Sequence, residues 1–484
     1  MANKFLNKNS RWKSPKVIWI VVFFIFALKI LDLGLTMWKQ RSGDDLQKSL
    51  SEVPDQPSYY KHIAPIISRS CWRCHRVNGI APFSLESFEQ VRKKAKTIAK
   101  VTSKRIMPPW PADPNYSHFV GENVLSEIEI QTIAKWVEQG AKEGNPSDFI
   151  APQQNHDRSV IGKPDWVIPV PPIALKNDGY DQFYLTKTHV KLPEGKYVAA
   201  LEFVPKQPDL LHHANGHLIL YPNGRADLKN GDMRTVNITP GNYKEDFKHL
   251  DVLNKDGSQP ERIHSAVNYL PGVQGVKYPD GIGGFYVPKE FALSFVDLHF
   301  GPSDRNVTDS SVVNVFFTDK KPERPTFEIN LGTDGVGKIQ PPLVIPPNQI
   351  TKHKVEYVIE APISVLTINP HLHLLGKSFL AFAIKPNGDT VRLISIPRWN
   401  FRWQYFYTFK KIQVLPAGSK IVAIAEFDNT VNNINNPNKP PKQVSERWED
   451  GGNSMRASDE MFQFIITYIS YRPGDENISL ESKK

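Results

Sequence analysis

Along the chain the hydrophobic positions change their period twice. Val17–Leu28 (VIWIVVFFIFAL) is an unbroken apolar run, and Ile30, Leu31, Leu33, Leu35, Met37 and Trp38 extend it past Lys29 and Asp32. From residue 58 to about 150 the apolar residues recur at helical spacing. Tyr59–Ser70 predicts a first helix. Ser87-x-x-Gln90 reads as a capping box, and Phe88, Val91, Ala95, Ile98 and Ala99 then share one helix face. Ser126-x-x-Glu129 is a second box. Ile130, Ile133, Ala134 and Val137 follow it on one face, and Gly140 supplies the stop. After a stretch rich in Pro, Asn and Asp (Asn145–Pro172), the pattern shortens. Runs of β-branched and aromatic residues alternate with Gly, Pro, Asn and Asp turns, as in Lys196–Phe203, His217–Tyr221, Ala292–Phe300, Ser310–Phe317, Val355–Ile359, Ser364–Asn369, Ile421–Phe427 and Met461–Tyr471. This predicts all-β sandwich structure. The length from 181 to 475 suits two sandwiches better than one, with Lys320–Pro325 (KKPERP) between them.

The organisation expected is therefore multidomain. A basic tail (1–16) precedes a membrane helix (17–38) and a linker (39–57). A small all-α domain (58–150) and a second linker (151–180) lead to two all-β sandwiches (181–325 and 326–475) and a tail (476–484). Proline, 40 of 484 residues, agrees with a chain dominated by loops and sheet edges.

Charge sharpens the reading of the N-terminus. Half of the formal charge of +10 is carried by Lys4, Lys8, Arg11, Lys13 and Lys16, with no acid among them. No basic stripe marks the rest, which argues against nucleic acid as a partner. Val17–Trp38 is long enough to cross a hydrocarbon core of about 30 Å. No small-x-small cleavage pattern follows, only Lys39, Gln40 and Arg41. We expect an uncleaved signal anchor, in preference to a cleaved signal peptide or a buried core helix. The flanking cations would keep the tail cytoplasmic and send the soluble part to the periplasmic or extracytoplasmic side.

The chain has two cysteines, Cys71 and Cys74, in Cys71-Trp-Arg-Cys-His75. A disulfide framework is excluded, and CxxCH is the c-type haem attachment pattern: two thiols add to the vinyl groups of one porphyrin while the adjacent imidazole reaches the iron. The competing readings are chance and a cytosolic redox or zinc CxxC. The sixth iron ligand expected is Met107, in Arg105-Ile-Met-Pro-Pro-Trp110, with His118 as the alternative; a thioether opposite histidine raises the iron's potential.

Three histidine constellations mark the β region: His212-His213, His299, and His371-x-His373. Residues i and i+2 of a strand project on one side, so His371 and His373 can chelate one ion. Adjacent residues point to opposite faces, so His212 and His213 need a bend or different ring nitrogens, and Asn215-Gly216 offers an irregularity. Taken singly, each is as readily a core or surface histidine as a ligand.

The stretch from CWRCHRVNGIAPFSL through MPPWPADPNYSHF resembles the cytochrome c domains that precede copper monooxygenase-like domains in many bacterial proteins. The ordered histidines resemble those of the copper type II, ascorbate-dependent monooxygenases, the family containing dopamine β-monooxygenase and peptidylglycine α-hydroxylating monooxygenase. Asn400-Phe-Arg-Trp-Gln404 and Glu426-Phe-Asp-Asn-Thr430 add to the likeness. The resemblance implies two jelly-roll-like sandwiches and two coppers, one on His212, His213 and His299 and the other on His371, His373 and a distant methionine. That methionine is Met461 in Ser458-Asp-Glu-Met, with Met455 nearby. Thioether plus imidazole is a soft set that suits copper. The implied activity is C–H hydroxylation of a small organic substrate with O2 at His371, His373 and Met461. One haem c would relay electrons from ascorbate, a quinol-linked donor or a soluble cytochrome, first to the three-histidine copper. Two departures limit the likeness: the β region has no cysteine, and Asn369 stands where peptide-amidating members carry arginine. The competing readings are a membrane-tethered haem/copper electron carrier and a structural interaction module.

Overall fold

The computed structural model describes residues 52–77, 79–152, 159, 161–225, 227–238, 248–271, 275–446, 448–449, 452–453 and 458–481. The expected membrane segment and Met455 lie outside the described residues. Among the described residues no helix is long and apolar enough to cross a membrane. The described residues are mostly β, with three α-helices among them, Ala64–Ser70, Phe88–Ser103 and Glu127–Glu138.

It divides into two compact units. The smaller comprises Val91–Ile106 and Leu125–Ile150 with the stretch up to Ile66. Val91, Ala95, Ile98, Ile130 and Ile133 are buried there, as the sequence stripes predict, but the last helix buries Trp136 rather than the expected Ala134 and Val137, which stay half-buried. Ser126 and Glu129 cap the helix Glu127–Glu138 reciprocally, and it ends before Gly140, whose φ of 87° only glycine adopts without strain. The Trp136 ring packs 6.2 Å from Tyr59 and donates to the Lys142 carbonyl.

The larger unit comprises Ile67–Gln90, Met107–Val124 and everything from Ala151 on. The haem-motif stretch thus groups with the β-rich part rather than with the helices. Its first sandwich has a five-stranded sheet in the order Met233–Asn237, Gln182–Lys191, Glu290–Phe300, Leu211–Leu220, Glu261–Tyr269. Opposite runs a four-stranded sheet, Trp166–Pro169, Val312–Thr318, Lys196–Val204, Phe285–Val287. Trp166–Pro169 and Ile173–Leu175 fall in the expected linker 151–180: prolines confine them to short edge positions, where the periodicity is too brief to read. Between Val312–Thr318 and Phe327–Gly332 no strand forms, at the expected boundary.

The second sandwich pairs two four-stranded antiparallel sheets. One runs Phe327–Gly332, Phe462–Ser470, Ile363–Leu372, Tyr407–Leu415; the other runs Ile350–Val358, Lys420–Asp428, Gly376–Ile384, Thr390–Ile396. Phe462, Phe464 and Ile466 alternate into its core, where Phe464 meets Phe379 at 5.5 Å. Residues 476–481 pack on this sandwich: Leu480 is 2% exposed and its N–H binds the Lys410 carbonyl. Arg324, in the KKPERP stretch, forms a two-pronged ion pair with buried Asp475, at 2.7 and 2.6 Å.

Candidate metal centres

The Cys71–His75 (CxxCH) stretch extends the helix Ala64–Ser70 by one turn, with the Cys74 and His75 N–H groups both directed to the Cys71 carbonyl at 3.1 and 2.9 Å. The thiols are not joined, and burial pushes the Cys71 thiol up to about 12, so both stay protonated. His75 places Nδ1 3.0 Å from the Phe83 carbonyl. A carbonyl-held Nδ1 fixes the tautomer that presents Nε2 to a metal, so the motif fits a haem iron by the chemistry of its donors. Gly79 is required here: a Cβ would stand 2.2 Å from the Cys74 carbonyl oxygen. The segment Met107–Val124 is tied to the motif at Asn123, which donates to the Ser70 carbonyl at 3.0 Å. Met107 begins it, half-buried. His118, the alternative ligand, is exposed and pairs with Glu122 at 3.2 Å.

His212, His213 and His299 converge, with ring nitrogens all within 4.8 Å of one another. The awkwardness of adjacent ligands is resolved at His212 itself. The pairing of Leu211–Leu220 with Glu290–Phe300 shifts register between Leu211 and His213, so His212 is the extra residue of a bulge and turns to the face of its neighbour. A second shift follows at Asn215-Gly216. His213 sits opposite His299. The Nδ1 atoms of His212 and His213 stand 3.2 Å apart, and three imidazoles around one ion at ~2.0–2.1 Å would be separated by about 3.3–3.6 Å. The outer nitrogens are held by carboxylates that the sequence reading missed: His213 Nε2 by Asp297 at 2.6 Å and His299 Nε2 by Asp181 at 2.9 Å. His299 Nδ1 is buried without a hydrogen-bond partner. This orphaned nitrogen, facing two others, fits a metal ion. Burial, reinforced by the neighbouring rings, lowers His212 to about 3 and keeps it a neutral donor. Burial opposes charge on His213 too, but the Asp297 carboxylate outweighs it and raises that ring. Asp297→Asn should lower metal affinity at this cluster about 10–100-fold. Competition with a chelator measures it, and a change below about threefold would remove Asp297 from the site.

His371 lies on the strand Ile363–Leu372, opposite Gln463, and Leu372 lies opposite Phe462. The pairing ends there: His373 follows Leu372 and Met461 precedes Phe462, each one residue beyond the last pair. The two imidazoles are 5.0 Å apart, centre to centre, at 84°. Met461 is buried at 7% exposure. His373 Nδ1 meets the Asp459 carbonyl at 2.9 Å. The Glu460 carboxylate, also unforeseen, accepts the N–H groups of His373 (3.0 Å), Leu375 (2.7 Å) and Met461 (3.3 Å). It ties both arms of this second donor set together. Burial lowers His371 to about 3, helped by the rings of His373 and His213. Phe401 touches both sets, 5.9 Å from His212 and 5.8 Å from His373.

No family model matches the chain, and no curated protein does. Among solved structures, similarity is found to the infectious bursal disease virus VP2 subviral particle: 8% identity, 63% of this chain, 72% of that chain, TM-score 0.17. The cowpea mosaic virus top component gives 8% identity, 66% and 92% coverage and a TM-score of 0.19. PNGF-II gives 10%, 64% and 63%, and 0.19.

Proposed function

We propose that the protein is a membrane-anchored haem c/copper monooxygenase that hydroxylates a C–H bond of a small organic substrate with O2. In this reading residues 17–38 anchor the chain, the helices and CxxCH form a c-type cytochrome, and the sandwiches are of the jelly-roll type. The observation that carries the reading is the convergence of His212, His213 and His299, reached through a bulge and backed by two carboxylates. A second, softer donor set facing Phe401 from the other sandwich supports it.

Copper bound at the two sets would supply one-electron redox chemistry and O2 reduction, and a haem on Cys71 and Cys74 would supply stored electrons. The chain's own residues do the rest. Asp181 and Asp297 orient imidazole nitrogens inward. Buried His212 and His371 remain uncharged and therefore able to ligate at neutral pH. Fusing a haem carrier to the copper domains raises the effective concentration of reductant without any new contact.

Elemental analysis of the full chain should give one iron and two coppers. Met461→Ala should retain one copper and the haem spectrum while losing substrate-dependent O2 uptake. Chain without stoichiometric copper would favour an interaction module. Two coppers without substrate-dependent O2 uptake would favour an electron carrier.

A further inference from the structure

Tyr405 connects the haem-bearing segment to the second donor set. It is 6% exposed, and its hydroxyl donates to the Pro109 carbonyl at 2.9 Å, two residues after Met107. Trp110 stacks on its ring at 5.7 Å and 25°, and Trp403 stacks at 6.3 Å and 21°. Behind it, Asn369 donates to the Tyr405 carbonyl at 2.9 Å, and Asn369 is two residues before His371 on the same strand. Gln404, its chain neighbour, lies within reach of the His371 ring. The segment is fixed to this sandwich at further points: Asp113 to Ser395 and Val120 to Thr408, through backbone bonds of 2.8 and 2.7 Å.

We propose that Tyr405, with Trp110 stacked on it and Asn369 bonded behind it, is the electron relay from the haem to the copper held by His371, His373 and Met461, which then receives an electron without passage through the three-histidine set. The inference rests on the haem and copper reading given above. In the step one electron leaves Fe(II), giving Fe(III), and reduces Cu(II) to Cu(I). Tyr405 bridges and keeps both its proton and its oxidation state. Burial holds the hydroxyl far above the usual phenol range, so the proton stays. The rival inlet is Tyr269, which pairs with Ala214 beside His213. No hydrogen bond or ring contact ties Tyr269 to Met107–Val124 among the described residues, whereas Tyr405 has both.

The test uses the full chain carrying haem and two Cu(II), under argon without substrate. A photoreductant flash reduces the haem, and its reoxidation is followed optically while the Cu(II) signals are followed by electron paramagnetic resonance. Tyr405→Leu should slow reoxidation about tenfold or more and spare the Cu(II) signal of the second set, with iron and copper content unchanged. Trp110→Leu, at a half-buried site, should slow it severalfold and serves if the first variant fails to fold. Tyr269→Leu should leave the rate unchanged. An unaltered rate in both Tyr405→Leu and Trp110→Leu with two coppers present would overturn the relay alone, as would slowing confined to Tyr269→Leu. Wild-type chain without copper would overturn the relay together with the reading beneath it.

Discussion

Glu460→Ala is expected to unfold the second sandwich at a markedly lower urea concentration and, on the copper reading proposed above, to release one of two coppers in the same protein. The carboxylate is 1% exposed and takes three backbone N–H groups that have no strand partner at this point. A buried donor stripped of its acceptor costs about 1–3 kcal/mol, so three of them cost about 3–6 kcal/mol after partial relaxation. The loss is local: His373, Leu375 and Met461 are the residues released, and two of them are proposed ligands. Glu460→Gln keeps one acceptor oxygen but turns an NH2 toward donors, and it should fall between wild type and alanine. Measuring the urea midpoint on copper-free protein separates scaffold from ligand. An unchanged midpoint there, or two coppers retained in Glu460→Ala, would show that the carboxylate does not hold the site.

What the sequence disclosed and what it withheld follow from the range of the forces involved. Helix caps are local, so Ser126-x-x-Glu129 could be read directly, and so could Ile130 and Ile133, while Trp136 takes the buried place expected of Ala134 and Val137. The run Met461–Tyr471 was likewise legible as a strand, which forms over Phe462–Ser470. The histidines were visible as residue types, but their convergence depends on a register shift at His212, and a one-residue bulge leaves no periodic trace. Asp181 and Glu460 escaped notice because a carboxylate's partners lie far away in sequence: 118 residues for Asp181 with His299, 87 for Glu460 with His373. The strands at Trp166–Pro169 and Ile173–Leu175 were hidden by the prolines that also made the region look like a linker. Tyr405 and Trp110 carry no chemical signature in the sequence, and only the packing of Met107–Val124 on the second sandwich gives them a direction.

Arg324→Ala should destabilise the second sandwich by about 3–5 kcal/mol at neutral pH, because it strands a buried carboxylate. Asp475 is 2% exposed and receives both prongs of the guanidinium, the Ser364 hydroxyl at 2.5 Å and the Arg472 N–H at 3.0 Å. Burial alone would raise this carboxyl, but the Arg324 bonds, with Ser364 and the Arg472 N–H, bring it from 3.8 to about 2. A carboxyl depressed by folding stabilises above its unfolded pKa, and the contribution disappears as pH falls through the folded value. Wild type should therefore lose ~2 kcal/mol between about pH 4 and pH 2 from this group. Without Arg324 the same carboxyl is buried unpaired and takes up its proton at higher pH. The penalty of Arg324→Ala should thus be largest at pH 7 and begin to shrink above pH 4. Urea titrations at pH 7, 5 and 4 measure it without the ionic screening that guanidinium would add. A difference below about 1 kcal/mol at pH 7, or one that grows with acid, would mean that the pair does not clamp the 319–326 stretch to the C-terminal turn.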